Sequence, residues 1–200
     1  MKEFIKEWGV FILILSLFLL SRIFLWQFVK VDGHSMDPTL ADKEQLVVLK
    51  QTKINRFDIV VANEEEGGQK KKIVKRVIGM PGDVIKYKND TLTINNKKTE
   101  EPYLKEYTKL FKKDKLQEKY SYNPLFQDLA QSSTAFTTDS TDSNGSSEFT
   151  TVVPKGHYYL VGDDRIVSKD SRAVGSFKKS TIVGEVKFRF WPIRRFGTIN

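Results

Sequence analysis

The stretch from Trp8 to Val29, WGVFILILSLFLLSRIFLWQFV, carries a single charge, Arg22. As a helix it spans about 33 Å, which matches the hydrocarbon core of a bilayer. A cleaved secretory leader has a shorter apolar stretch and then small residues at its cut. Here bulky Phe24, Leu25, Trp26 and Phe28 occupy that place. The run therefore predicts a retained transmembrane anchor over 8–29, with Trp8 and Trp26 suited to the two interfaces and Arg22 snorkelling outward. A buried core helix is the alternative. Lys2 and Lys6 precede the run and favour a cytoplasmic N-terminus (residues 1–7), which puts the rest of the chain on the outer face of the cell membrane as a single-pass protein.

Of the 200 residues, roughly 170 remain to build a core, enough for one domain without staples. The sequence has no cysteine, which excludes disulfide scaffolds, thiolate metal sites and cysteine nucleophiles. With only His34 and His157, a multi-histidine metal centre is disfavoured, and no cofactor is implied. Lys and Arg outnumber Asp and Glu by 33 to 25, a net charge of +8. These cations lie in separate clusters with no nucleic-acid motif, so anionic lipid is the expected partner and nucleic acid is not.

Beyond the anchor the pattern is that of short strands. Gln45–Lys50, Asp58–Ala62, Lys72–Ile78, Asp83–Lys88 and Thr91–Ile94 are rich in β-branched residues and separated by turn residues such as Pro81-Gly82. A hairpin is expected around Lys88-Asn89-Asp90, and further strands at Gly156–Val161 and Ile182–Phe190. Strands do not alternate with long helices, so the fold class is mainly antiparallel β. Residues 103–151 differ: Tyr103–Tyr122 is lysine-rich with a weak helical period, and Gln131–Thr151 is mostly Ser, Thr, Asp and Gly. They read as an insertion, partly mobile, between the two parts of the β core at 30–102 and 152–200.

Three clusters bear chemistry. The first, Gly33-His34-Ser35-Met36-Asp37-Pro38-Thr39-Leu40, follows the anchor, and its serine, read alone, is an ordinary residue by default and a nucleophile only as the minor alternative. Adjacent residues on an extended chain point apart, which makes His34 a poor base for Ser35. The second is Lys75, whose strand period puts Ile73 and Val77 on its own face. Burial there would lower its pKa enough for a base, whereas an edge position would let it snorkel to water. The third is Gly162–Arg172, a polar loop after a strand. Asp170 and Arg172 can pair there, and Ser168 can bond a neutral amine.

Together these clusters resemble bacterial type I signal peptidases of the Gram-positive kind, membrane-bound serine proteases with a Ser-Lys dyad. Ser35–Leu40 looks like the nucleophile motif, Lys75–Asp83 (KRVIGMPGD) like the lysine motif, Phe57–Val61 like the strand motif between them, and Gly162–Arg172 like the C-terminal box. The motifs stand in the family's order behind an anchor. Departures are Gly33 where some relatives place a serine, Phe57 where glycine is usual, and Asp164 where asparagine is usual.

The resemblance implies an antiparallel, barrel-like β catalytic domain with an inserted subdomain, preceded by one transmembrane helix. It implies Ser35 as nucleophile, Lys75 as general base, Ser168 bonded to the lysine amine, and Asp170 with Arg172 bracing that loop. Substrates would be signal peptides of exported preproteins, cut after small residues in an Ala-x-Ala pattern through an acyl-enzyme. Met36, Ile73 and Val74 are the expected apolar pockets, reached by a substrate strand paired with the edges around Asp32–Met36 and Ile73–Lys75. Two other readings are a silent relative that assists surface-protein assembly, which would be expected to lose the serine or lysine, and a tethered envelope-binding module.

Overall fold

The computed structural model describes residues 2–142 and 145–199, the first helical turn by its backbone alone. Helix α1 (Lys2–Phe24) leads, and strands follow: β1 (Trp26–Lys30), β2 (Gln45–Leu49), β3 (Ile59–Glu66), β4 (Gln69–Gly79), β5 (Val84–Lys88), β6 (Thr91–Ile94) and β7 (Lys97–Thr99). Helices α2 (Lys105–Asp114) and α3 (Pro124–Ser132) come next. The chain ends with β8 (Glu148–Val152), β9 (His157–Val161), the short helix α4 (Ser171–Val174), β10 (Phe177–Lys178), β11 (Ile182–Trp191) and β12 (Gly197–Thr198).

Alternation explains the strands. In β5 the residues Ile85 and Tyr87 are buried between exposed neighbours, and in β2 Leu46 and Val48 are fully buried. Asn89 and Asp90 both take positive φ, 47° and 62°, as the tight β5–β6 hairpin requires. All strand pairs among the described residues are antiparallel, as the mainly β reading expects. The larger sheet runs β1-β2-β11-β3-β4-β9-β10 with β12 beside β11, and the smaller runs β7-β6-β5-β8.

The expected barrel-like closure is not made. The larger sheet ends at β1 on one side and β10 on the other, so it is open. The cause lies in β4, whose second half, Arg76–Gly79, pairs with β9 while Gln69–Lys75 pairs only with β3. That free edge faces the continuation of β1 across a groove which no strand of the chain fills.

The helix also stops short of the expected anchor boundary at Val29. The segment after Leu25 has aromatic and β-branched residues at alternate places, and Trp26–Lys30 pairs with Leu49–Gln45 as strand β1. From Lys6 to Phe24 the helix has mean hydropathy 1.9 and none of this span is buried against the rest of the chain. Its C-terminal carbonyls are met by cationic and amide donors: Lys50 Nζ donates to the oxygen of Ile23 at 2.6 Å, and Gln51 Nε2 to that of Phe24 at 3.3 Å.

Residues 103–142 make a small helical unit with a core of its own, from Leu104, Tyr107, Phe111, Leu116, Tyr120, Ala130 and Phe136. The polar run after Gln131, read in the sequence as mobile, contains buried Ala135, Phe136 and Thr137, because the Asp90 carboxylate accepts from the amides of Phe136 and Thr137. Residues 143 and 144 of that run lie outside the described residues. Strand β8 begins at Glu148, inside the expected insertion, and pairs with β5.

The C-terminal segment closes over the loop that follows β1. Glu44 is buried between Arg189 (2.9 Å) and Arg195 (2.7 Å), and both arginines also donate to the carbonyl of Thr39. Glu44→Ala would leave two guanidinium groups facing each other across the vacated site. It is expected to destabilise the protein by about 3 kcal/mol, read as a lower midpoint in urea unfolding; an unchanged midpoint would refute the clamp.

Candidate active site

The loop carrying Ser35 is pinned from both sides. Met36 and Leu40, 1% and 0% exposed, sink into the cluster of Val31, Leu46, Val48, Ile59 and Val61. Gly33 takes φ +93° at the turn, and its N–H donates to Asp42 Oδ1 at 2.9 Å. The Ser35 carbonyl accepts from the Asp164 N–H at 3.2 Å. A Cβ on Gly162 would collide with that carbonyl and with Ser168 Oγ, so only glycine lets the two loops approach this closely.

On β4, Ile73, Lys75 and Val77 share one face, and Lys75 is 4% exposed. Its Nζ lies 2.6 Å from Ser35 Oγ. Burial drags the amine down to about 8, against the pull of the Asp170 carboxylate. The strand period thus delivers a lysine that gives up its proton within reach of a hydroxyl.

Asp170 and Arg172 form a buried bidentate pair, with Nε to Oδ1 and Nη2 to Oδ2 both 2.9 Å. Asp170 also accepts from the N–H of Gly162 and caps α4 through the N–H of Arg172, while Arg172 Nη2 donates to the carbonyl of Ser168. Burial pushes the Asp170 carboxyl up, but the guanidinium and these donors more than offset it and hold it below the ordinary range. Ser168 itself is buried, and its Oγ makes no well-aligned hydrogen bond, although the hydroxyl is near enough to the Asp170 carboxylate to help hold it down. The expected Ser168–Lys75 bond is therefore not made in this arrangement.

Met36, Ile73 and Val74 all line the groove between the free edges of the sheet, a space of about 540 Å³. Its walls also include Phe28–Asp32, Lys71 and Lys72, and at the Ser35 end His34, Val167 and Phe126. Phe126 belongs to α3, a contribution the sequence does not announce because 91 residues separate it from Ser35. His34 is 3.0 Å from Asp37 Oδ2 through Nδ1 and packs against the rings of Tyr122 and Phe126, consistent with no role as base to Ser35.

Other residues around the site were quoted in the motifs without a role. Arg76, next to Lys75 but on the opposite face, makes a buried bidentate pair with Asp163 at 2.9 and 2.8 Å, and Asp163 also accepts from Thr39 Oγ1 at 2.5 Å. The one legible signal was their place inside the motifs. Phe57 sits at φ +71° with its carbonyl accepting from Arg76 Nη1, a backbone position that suits glycine, and its ring packs on Tyr103. Asp164 is fully buried and accepts from Tyr120 Oη at 2.5 Å. Among the described residues no group of three or more His, Asp or Glu converges as a metal site would.

The family model described as "Signal peptidase, peptidase S26" matches residues 2–191. The chain belongs to this family. It is 59% identical to a "Signal peptidase I" of Streptococcus pneumoniae over 98% of both chains. It is also 37% identical to a "Signal peptidase IB" of Staphylococcus aureus over 98% of this chain and 94% of the relative. A solved signal peptidase I of Enterococcus faecalis is 27% identical and covers 67% of this chain and 97% of its own, with a TM-score of 0.44. The chain is thus a peptide-bond hydrolase of the bacterial signal peptidase kind.

Asp164 yields a test independent of activity. Burial, and after the opposing Tyr120 bond the nearby Asp37 carboxylate, push it up to about 7 from the ordinary 3.8. Between these values the folded protein holds a proton that the unfolded chain has released, so this group's contribution is full below about pH 4 and is lost as pH rises through 7. Asp164→Asn removes that slope. Relative to the native protein, its urea midpoint should improve between pH 5 and pH 8.5; a pH-independent difference would refute the raised carboxyl.

Proposed function

We propose that Ser35 and Lys75 are the catalytic dyad with which this chain removes signal peptides from exported preproteins. The observation that carries the reading is the 2.6 Å contact between Ser35 Oγ and a buried lysine amine, at one end of a groove with two unpaired strand edges. In the attack, the neutral Lys75 amine takes the hydroxyl proton as Ser35 Oγ bonds to the scissile carbonyl carbon. The proton then passes to the leaving amine and the peptide C–N bond breaks, leaving an ester on Ser35. Water attacks that ester, Lys75 takes the water's proton, and the carboxylate departs as Ser35 regains its hydrogen.

The Ser35 N–H, unused by other groups among the described residues, is the first oxyanion donor. Gly33 offers no side-chain donor, and its own N–H is held by Asp42. Asp170 and Arg172 brace the loop, and the Ser168 hydroxyl steadies the amine once substrate arrives.

The substrate lies as an added strand between Asp32–Met36 and Ile73–Lys75. Met36, Ile73 and Val74 give shallow pockets that suit small side chains, which fits cleavage after Ala-x-Ala. The apolar span of α1 anchors the chain in the cell membrane with its N-terminus cytoplasmic, the β domain on the outer face beside anionic lipid, and no nucleic acid as partner.

In detergent, with a preprotein whose signal ends in Ala-x-Ala, Ser35→Ala and Lys75→Ala should each abolish cleavage with unfolding midpoints kept. Turnover near the native level in either would remove the dyad. The native rate should climb with pH through about 8 and level off, as Lys75 loses its proton. Ser168→Ala should lower the rate without abolishing it; equality with the native protein at every pH would refute its role.

A further inference from the structure

The groove has a direction. Its two edges run side by side away from α1. Near the helix, Lys72 Nζ lies 3.5 Å from Gln27 Oε1; at the far end, Lys75 Nζ lies 2.6 Å from Ser35 Oγ. If the apolar signal segment of a substrate stands beside α1, the residues before the cut enter at the near end and fill the groove up to Ser35. The residues after the cut must then continue past the dyad.

What they meet there comes from the insertion. Phe126 of α3 lines the groove at the Ser35 end, and Tyr122, just before that helix, is 54% exposed although it packs against His34. The ring centroids of His34 and Tyr122 are 5.2 Å apart, those of His34 and Phe126 5.9 Å, and those of Tyr122 and Phe126 6.2 Å. The three rings make one wall. It is fixed from behind: Tyr120, which packs edge-on against Phe126, donates to buried Asp164, and Asn123 caps α3 through the N–H of Phe126. A rigid, partly exposed aromatic surface continuous with a peptide groove suits an extended peptide whose uncharged side chains lie on ring faces. The Asp37 carboxyl, 3.0 Å from His34 Nδ1, disfavours acidic ones.

We infer that His34, Tyr122 and Phe126 form a subsite for the first residues of the mature protein, those immediately after the cleaved bond. The insertion thereby takes part in choosing substrates. This rests on the proposed dyad and on the direction of the substrate strand.

The test compares two peptides with the same Ala-x-Ala segment, cleaved by the full chain in detergent. One ends in an amide one residue after the cut; the other continues for five residues with leucine at the second. The native protein should favour the longer peptide in kcat/KM by about tenfold. Tyr122→Ala and Phe126→Ala should each pull that ratio toward one, with most of the change in KM, and Phe126→Leu should restore part of it. A wall that merely props the loop of Ser35 would lower both rates and leave the ratio intact, which would overturn the inference. A native ratio near one would overturn it too, while cleavage that still depends on Ser35 and Lys75 would leave the dyad standing. Cleavage of neither peptide by the native protein would overturn the dyad and the subsite together.

Discussion

One buried ion pair ties the site to the fold. Arg76 and Asp163 are almost free of solvent, and each belongs to a different part of the chain. Arg76 is the residue after Lys75, Asp163 the residue after Gly162, and the hydroxyl of Thr39, four places beyond Ser35, bonds to the same carboxylate. A charge pair this deep is expensive to desolvate and is retained only where its geometry is well satisfied. Here Arg76 also donates to the Phe57 carbonyl and stacks on Tyr103, its guanidinium carbon 3.9 Å from the ring centroid. Five segments are thus held together before any substrate is present, and the Ser35–Lys75 distance follows from that lock.

The same strand makes both the lock and the proposed base. Because side chains alternate, β4 sends Lys75 to one face and Arg76 to the other, so one cation is satisfied by a carboxylate while the next is not. Lys75 has the fields of Asp170, Glu64 and Asp163 at longer range, partly cancelled by Arg172. Lowering its pKa to about 8 from 10.5 amounts to about 3 kcal/mol against the charged form. The penalty falls on the protonated state, so it is present in full below about pH 8 and relieved as pH rises from there toward 10.5. The bidentate pairs at Asp163 and Asp170 help a fold of this size sustain it.

The longer strands and the β5–β6 hairpin were legible in the sequence because alternation and turn residues are local signals, whereas Met36, Ile73 and Val74 were named only through the family resemblance. Burial of Lys75 was legible in the same way, from Ile73 and Val77 beside it. The end of the helix was not: apolar character runs on to Val29, and only pairing with Gln45–Leu49 turns Trp26–Lys30 into a strand. The order within 131–142 was hidden too, since Ala135, Phe136 and Thr137 are held by Asp90 from the distant hairpin. Glu44 with Arg189 and Arg195 left no trace in the sequence, as buried charge partners 145 residues or more apart carry no spacing rule. The left-handed φ of Phe57 gives a physical reason for the glycine usual at this place in the family, and nothing in the structure explains the departure from it.

The early end of the helix bears on how the enzyme would meet its substrate. Only Leu25 separates α1 from β1, and Lys50 N–H bonds to the Leu25 carbonyl while its side chain holds the helix end. Trp26 Nε1 reaches back to Ser21 Oγ at 3.2 Å. A junction so short and so bonded leaves little freedom between helix and sheet, unlike a flexible tether. With the proposed anchoring, the near end of the groove is therefore held at the membrane face. The exposed ring of Phe28 lies on β1, close to that junction, and packs against Phe190. From Phe28 to Ser35 the chain advances seven residues, at most about 25 Å if fully extended. The proposed dyad then lies within that reach of the surface.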